Sequence, residues 1–156
     1  MEEPLHRVRT ALAACGRPAD LHLFDSHLPT VAAAAEALGV SPERIAKSVV
    51  LFAGKEPVLV VAAGDRRVDR AKVKALTGGA KVTIASADEV LAVTGFVAGG
   101  VAPVGLAHPA RVFIDHSLHR FEQIWAGGGI PEALLRLTVA DLPLVTGGTF
   151  ADVCQR

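Results

Sequence analysis

The sequence predicts an α/β domain with a mixed β-sheet, and two observations carry that expectation. Residues 45–53 (IAKSVVLFA) and 58–63 (VLVVAA) are apolar runs rich in β-branched residues, separated by GKEP, the composition of an antiparallel hairpin at the core of a sheet. Around that hairpin, segments with helix caps alternate with further short apolar runs, which places helices against a mixed sheet. With 156 residues and 51% hydrophobic content the chain can bury a core without cross-links, so one domain over residues 1–156 is expected.

Each element has a local cause. Leu5, Val8 and Leu12, with Cys15, recur at helical spacing before Gly16 and Pro18, which predicts a first helix over residues 3–15. Residues 21–24 follow as a short strand. Thr30 caps an alanine-rich helix to about Leu38, and Gly39 closes it. Ser41 and Pro42 read as the N-cap and first position of a single turn that feeds the hairpin. Beyond the hairpin, Asp69 caps a helix to about Leu76, residues 81–85 form a short strand, and Ser86 with Glu89 makes a capping box for a helix over residues 87–94. Residues 111–115 (RVFID) and 121–125 are the next strand candidates. Thr138 with Asp141 reads as a box-like cap for a one-turn helix, and residues 144–150 as a terminal strand or turn.

The composition excludes several function classes. Lys plus Arg and Asp plus Glu balance at 16 each, so the chain has no field for broad capture of nucleic acid; DNA binding is not expected, and any RNA contact must be local. Cys15 and Cys154 lie near opposite ends and suggest neither a zinc site nor a disulfide framework, as expected of a reduced cytoplasmic protein. The acidic opening MEEPLHRVRT lacks an apolar leader, and no run of about 18 apolar residues exists, so neither export nor membrane spanning is expected. His116 and His119 stand three apart, but no third ligand has a recognisable spacing, so no metal is expected and a polar surface turn is.

Two features could carry chemistry. Lys47 interrupts an apolar strand, and its ammonium must either snorkel to water or find a partner in a cleft. Residues 99–105 (GGVAPVG) form either a tight turn or a bare backbone that offers N–H groups to a ligand.

Read in order, the helix PTVAAAAEALGV, the strand IAKSVVLF, PVLVVAAGDRRVD, residues 93–95 leading into GGVAPVG, the strand VFID and the ending LPLVTGGTFADV resemble the YbaK/ProX family of aminoacyl-tRNA deacylases. That family is related to the editing domain inserted in bacterial prolyl-tRNA synthetases. The resemblance covers residues 24–153 and implies a single α/β domain whose mixed, curved, barrel-like sheet is flanked by helices. It implies hydrolysis of a wrongly attached small amino acid from tRNA, most often tRNA for proline. Lys47 falls on the family's functional lysine and residues 99–103 on its G-x-x-x-P loop, which implies catalytic roles for Lys47 and Gly100. The expected substrate pocket takes in Thr30, Ser48, Gly99, Val101, Ala102, Pro103, Gly105 and Asp115, with Ala126 where other members carry Ser or His. Asp115 is expected to fix the glycine loop or the pocket. The implied partners are the acceptor end of an aminoacyl-tRNA and prolyl-tRNA synthetase, with no cofactor.

An aminoacyl ester is already activated, so an enzyme has mainly to position it and stabilise an oxyanion, for which N–H groups of Gly100, Val101 or Ala102 are candidates. Lys47 could bind the terminal phosphate or ribose, support the developing charge, or act as a base; positioning is the favoured role. The sequence holds no recognisable Ser/His/Asp or Cys/His set, so water is the expected nucleophile, helped by the substrate's own ribose hydroxyl as the family implies. One methylene in a small pocket is worth only about 1–3 kcal/mol, so alanine, serine, threonine and 2-aminobutyrate are all candidate substrates. The basic stretch Arg66, Arg67, Arg70, Lys72, Lys74 and Lys81 is either a solvated face or an acceptor-stem contact. A non-catalytic tRNA-end binding or regulatory module, and a hydrolase of another small ester or amide, are the alternatives.

Overall fold

The computed structural model describes residues 2–156. Helix α1 (Glu2–Ala14) buries Leu5, Val8 and Leu12 on one stripe and ends at Gly16, which holds φ +70°. Strand β1 (Asp20–Leu23) follows, then α2 (Val31–Leu38), which Thr30 caps by accepting from the Ala33 N–H and Gly39 closes in the left-handed conformation. A 3₁₀ turn at Pro42–Arg44 delivers the chain into β2 (Ala46–Ala53), which turns through Gly54 and Lys55 into β3 (Glu56–Ala63). The pair runs antiparallel with Lys47 opposite Ala62 and Ser48 opposite Val61.

Helix α3 (Arg70–Leu76) is capped by Asp69, and α4 (Ala87–Thr94) by the reciprocal Ser86–Glu89 box. Between them β4 (Val82–Ile84) pairs with Leu51–Ala53 of β2. Strand β5 (Arg111–Asp115) lies parallel to β3, and β8 (Thr149–Ala151) parallel to β5. Strands β6 (Gln123–Gly127) and β7 (Ala133–Thr138) form an antiparallel hairpin, and α5 (Leu142–Thr146) precedes β8. Among the described residues no helix is long and apolar enough to cross a membrane.

The strands form two sheets where the sequence suggested one: a mixed five-stranded sheet, β4-β2-β3-β5-β8, and an antiparallel three-stranded sheet, β1-β7-β6. Neither closes into a barrel, although a parallel bridge from Ile45 to Trp125 links them. The sheets face each other across the main core, where Val50, Val61 and Ile114 of the first meet Ile124, Leu135 and Leu137 of the second, with Val8 and Leu12 of α1 between. On the outer face of the five-stranded sheet, Leu51, Val60 and Phe113 pack with Val73 of α3 and with Val153 and Cys154.

Strand β7 is the element the sequence did not announce. Leu134 faces α2 while Leu135 and Leu137 face the main core, so adjacent leucines are buried on opposite faces, and only the second half of ALLRLT, with Arg136 exposed, alternates. Thr138 ends β7 opposite Gln123 and stands at the N-cap of a one-turn 3₁₀ helix, Val139–Asp141, but its side chain makes no cap bond, and Asp141 pairs with Arg17 at 3.1 Å. Residues 144–150 divide between the end of α5 and the start of β8.

Candidate active site

Strand β4 covers only the last residues of β2, because its register ends with Leu51 opposite Ile84 and Val50 gives its carbonyl to the Ala85 N–H. Alternate residues of a strand point their backbone groups to the same edge, so the N–H and C=O of Ser48 face the same side as those of Val50. Among the described residues no strand pairs with Ser48 on that edge, which lies between the Ile45–Trp125 bridge and the start of the β4 pairing. The edge of β2 is therefore open at Ser48, and a cavity of about 270 Å³ lies along it.

The walls of the cavity come from both sheets and two loops. Ile45 and the start of β2 supply residues 45–48; the cap and opening of α2 supply Thr30, Val31 and Ala34; the glycine loop supplies Gly99 and Val101; β6 supplies Gly127. The Thr30 hydroxyl already accepts from Ala33 at 3.1 Å, which leaves its proton free to donate. The Ser48 Oγ is buried and has no hydrogen-bond partner among the described residues, so with its backbone groups Ser48 brings three polar functions to one edge. Lys47 lines the same cavity, but its strand position puts it on the opposite face from Ser48, in a row with Ala62 and Asp115 across β2, β3 and β5.

The expected site residues thus divide. Thr30, Lys47, Ser48, Gly99 and Val101 meet at one cavity; the others do not. Gly100 is buried with its N–H on the Val97 carbonyl at 2.9 Å, so it is not a free oxyanion donor, and a Cβ there would lie 2.8 Å from the Ile130 backbone. Ala102 and Pro103 sit behind the loop, Ala102 within the main core. Gly105 backs onto α1, where a Cβ would meet the Arg7 carbonyl at 2.8 Å. Asp115 stands at the far end of the sheet row and accepts from the N–H groups of Ser117 at 2.9 Å and Val153 at 3.1 Å, so it fixes the closing segment of the chain rather than the glycine loop. Ala126 is fully buried in the core; its neighbour Gly127 reaches the cavity instead.

Two residues that shape the site had no signal of their own in the sequence. A Cβ on Gly127 would overlap the Val101 carbonyl oxygen, so the loop can lie against β6 only because residue 127 is glycine; the run of three glycines at 127–129 was the available hint. Arg7 of α1 gathers both stems of the loop. Its Nε donates to the Gly105 carbonyl at 3.0 Å, and its Nη2 donates to Gly95 at 2.9 Å and Thr94 at 3.3 Å, with the guanidinium 4.7 Å from the centre of the Phe96 ring.

Electrostatics on the Lys47 face are set by charge and burial. Burial, reinforced by the Asp115 carboxylate, pushes the Cys154 thiol up to about 12, while the charges of Lys47 and Arg66 oppose that rise. The Lys47 charge is therefore felt at Cys154, on the outer face of the sheet. Of the basic stretch, Lys72 is tied to Asp152 at 2.9 Å and to the Cys154 carbonyl at 2.8 Å, and Arg66 makes a long 3.8 Å contact with Asp65.

Comparison with known proteins fits this geometry. The chain is 39% identical over 153 residues, 97% of each protein, to the uncharacterized protein YwhH of Bacillus subtilis. It is 33% identical over 117 residues to the proline–tRNA ligase of Nitratidesulfovibrio vulgaris, covering 73% of this chain but only 20% of the ligase. A candidate Cys-tRNA(Pro)/Cys-tRNA(Cys) deacylase of Enterococcus faecalis, EbsC, is 26% identical over 123 residues, 78% of this chain and 75% of that protein. A crystal structure described as a candidate trans-editing enzyme for prolyl-tRNA synthetase superposes with a TM-score of 0.91 at 32% identity, over 100% of this chain and 99% of that one. The model of the aminoacyl-tRNA editing domain matches residues 25–143, which take in the free edge, the glycine loop and Gly127, and the chain belongs to that family.

Proposed function

We propose that this protein is a free-standing aminoacyl-tRNA deacylase that removes a mischarged small amino acid from tRNA, with tRNA for proline as its carrier. The observation that carries the reading is the cavity at the free edge of β2, where Lys47, Ser48 and the Val101 loop converge in a chain of the editing-domain family. The likeness to proline–tRNA ligases and to a candidate prolyl trans-editing enzyme supports the choice of carrier.

In this reading the aminoacyl group lies along β2. The Ser48 backbone pairs with the α-amino and carbonyl groups as an added strand would, and the Ser48 and Thr30 hydroxyls complete its polar shell. Water attacks the ester carbon, and the tetrahedral oxyanion is met by donors fixed before the reaction, the Val101 N–H among them. Collapse breaks the ester bond and returns a proton to the ribose oxygen, which frees the amino acid and the tRNA. Lys47 holds the negative charge of the terminal nucleotide. Side chains that overfill about 270 Å³ alongside the ribose are excluded, and smaller ones are accepted.

The test is deacylation of prolyl tRNAs charged with alanine, serine, threonine, cysteine or 2-aminobutyrate, by wild type and Lys47→Ala. Release of one aminoacyl group well above the spontaneous rate, lost by 100-fold or more in the variant, is expected. Binding of the tRNA with no release of any member of the panel would instead make the protein a non-catalytic binding module.

A further inference from the structure

A second cavity, of about 230 Å³, opens at the far end of the sheet row that begins with Lys47. Its walls are Arg66 after β3, Asp115 to Ser117 and Arg120 after β5, and Asp152 with Cys154 to Arg156. Three guanidinium groups face two carboxylates across it. The carboxylates are engaged: Asp115 accepts from Ser117 and Val153, and Asp152 from Lys72 at 2.9 Å and Arg156 at 3.2 Å. Arg120 is held by Asp65 through two bonds of 2.8 and 3.0 Å. Arg66, with its long contact to Asp65, is the guanidinium least neutralised.

One ring, His116, lines this cavity, and beyond it stand two more: His116 lies near-parallel to Phe150 at 6.3 Å, while His119 packs on Phe150 at 4.0 Å. Both imidazoles are exposed. A ligand that presents a flat ring beside an anionic group fits such a surface, and the repeating unit of a single-stranded nucleic acid is that combination.

Position joins the two cavities. Lys47, Ala62 and Asp115 are successive neighbours across β2, β3 and β5, so the second cavity lies two strand spacings, about 10 Å, from the strand that lines the first. Ala62 between them is fully buried, packed with Val153 and Cys154, so a ligand spanning both cavities passes over the closing segment of the chain. We propose that the second cavity is a subsite for the unpaired 3′ strand of the tRNA. A backbone phosphate binds Arg66 and Arg156 there, and a base upstream of the terminal nucleotide stacks on His119 and Phe150. The inference rests on the deacylase reading for the identity of the strand.

Uncharged tRNA for proline, fluorescently labelled, is titrated against wild type, Arg66→Ala, Arg66→Lys, His119→Ala and, as a basic control outside the cavity, Arg70→Ala over a range of salt. Arg66→Ala is expected to weaken binding about five- to ten-fold and to lower the salt slope by about 0.7, one single-strand phosphate contact, and Arg66→Lys to restore the slope. His119→Ala is expected to weaken binding at least five-fold with the slope unchanged. Arg70→Ala is expected to match wild type. Hydrolysis of an aminoacyl-adenosine, which carries no upstream strand, is expected to be unaffected by all four substitutions.

Arg66→Ala binding within two-fold of wild type at an unchanged slope overturns the subsite, as does an equal loss in Arg70→Ala, which would mean diffuse attraction. A loss of aminoacyl-adenosine hydrolysis in Arg66→Ala also overturns it, because the residue would then act on the first cavity. If wild type hydrolyses no ester, the deacylase reading fails, and the binding series still decides whether the strand seats here.

Discussion

At the scale of single residues, Asp115 and Cys154 form a buried pair whose charge states oppose each other. Burial works to raise the Asp115 carboxyl, but the donors of Ser117, Val153 and Cys154 together outweigh it and hold the group below the ordinary carboxylate range. A folded-state value below the unfolded one means that this carboxylate contributes stability above about pH 4, and that the contribution is lost as the pH falls through the folded value. Asp115→Asn is therefore expected to lower stability at pH 7 by about 1–3 kcal/mol and to flatten the decline below about pH 4, read from denaturant melts across the acid range. A variant whose pH profile parallels that of wild type would mean that Asp115 is not the titrating group. Cys154 is 3% exposed and, pushed up to about 12, stays a thiol at pH 8. A thiol reagent is expected to label one cysteine in the native protein, the half-buried Cys15, and two in denaturant; rapid native labelling of both would refute the burial of Cys154.

At the scale of elements, the site depends on one loop lying flat against one strand. Gly127→Ala pushes a methyl into the Val101 carbonyl, and both are backbone positions that cannot rotate away. The expected result is a loss of about 10- to 100-fold in single-turnover deacylation, with destabilisation limited to about 1–3 kcal/mol in a parallel melt. Near-wild-type turnover would mean that the loop position is not rate-determining. This contact also marks where the sequence was legible and where it was not. Caps are local chemistry, so Thr30, Asp69, Ser86 with Glu89, and the closing glycines Gly39 and Gly95 announced the helices within a residue or two. Burial of neighbouring leucines on opposite faces of a strand depends on distant elements, and β7 with its leucine pair stayed hidden. Lys47 and the glycine loop stood out because each breaks the pattern around it. The partners that complete the site, Gly127 and Arg7, became visible only where β6 and α1 meet the loop. Ala102 and Pro103 shared the loop's sequence but not its exposure, since an irregular segment must turn some residues into the core, and Gly105 lies against α1.

At the scale of the molecule, α1 lies outside the stretch matched by the family model yet is placed to hold the two sheets and the loop as one body. Leu5 packs with Ile130 and with Ala133 of the three-stranded sheet, Val8 and Leu12 enter the core shared by both sheets, and Arg7 ties the loop stems. Burying three such side chains stabilises by roughly 5–9 kcal/mol at about 1.5–3 kcal/mol each. That is a large fraction of the roughly 5–15 kcal/mol that holds a typical domain folded. Deletion of residues 2–14 also exposes Phe96 and Ile130, which are now buried, and leaves the Gly95 and Gly105 carbonyls without the Arg7 donors. The shortened chain is therefore expected to lose its cooperative thermal transition, with fast amide exchange in the glycine loop and in β6 and β7. The β2–β3 hairpin, whose partners lie within the five-stranded sheet, should keep the most protection. A cooperative melt within a few degrees of wild type would show that the two sheets close on each other unaided. In that case α1 would serve the loop alone, and the loss on deletion would appear in turnover and not in stability.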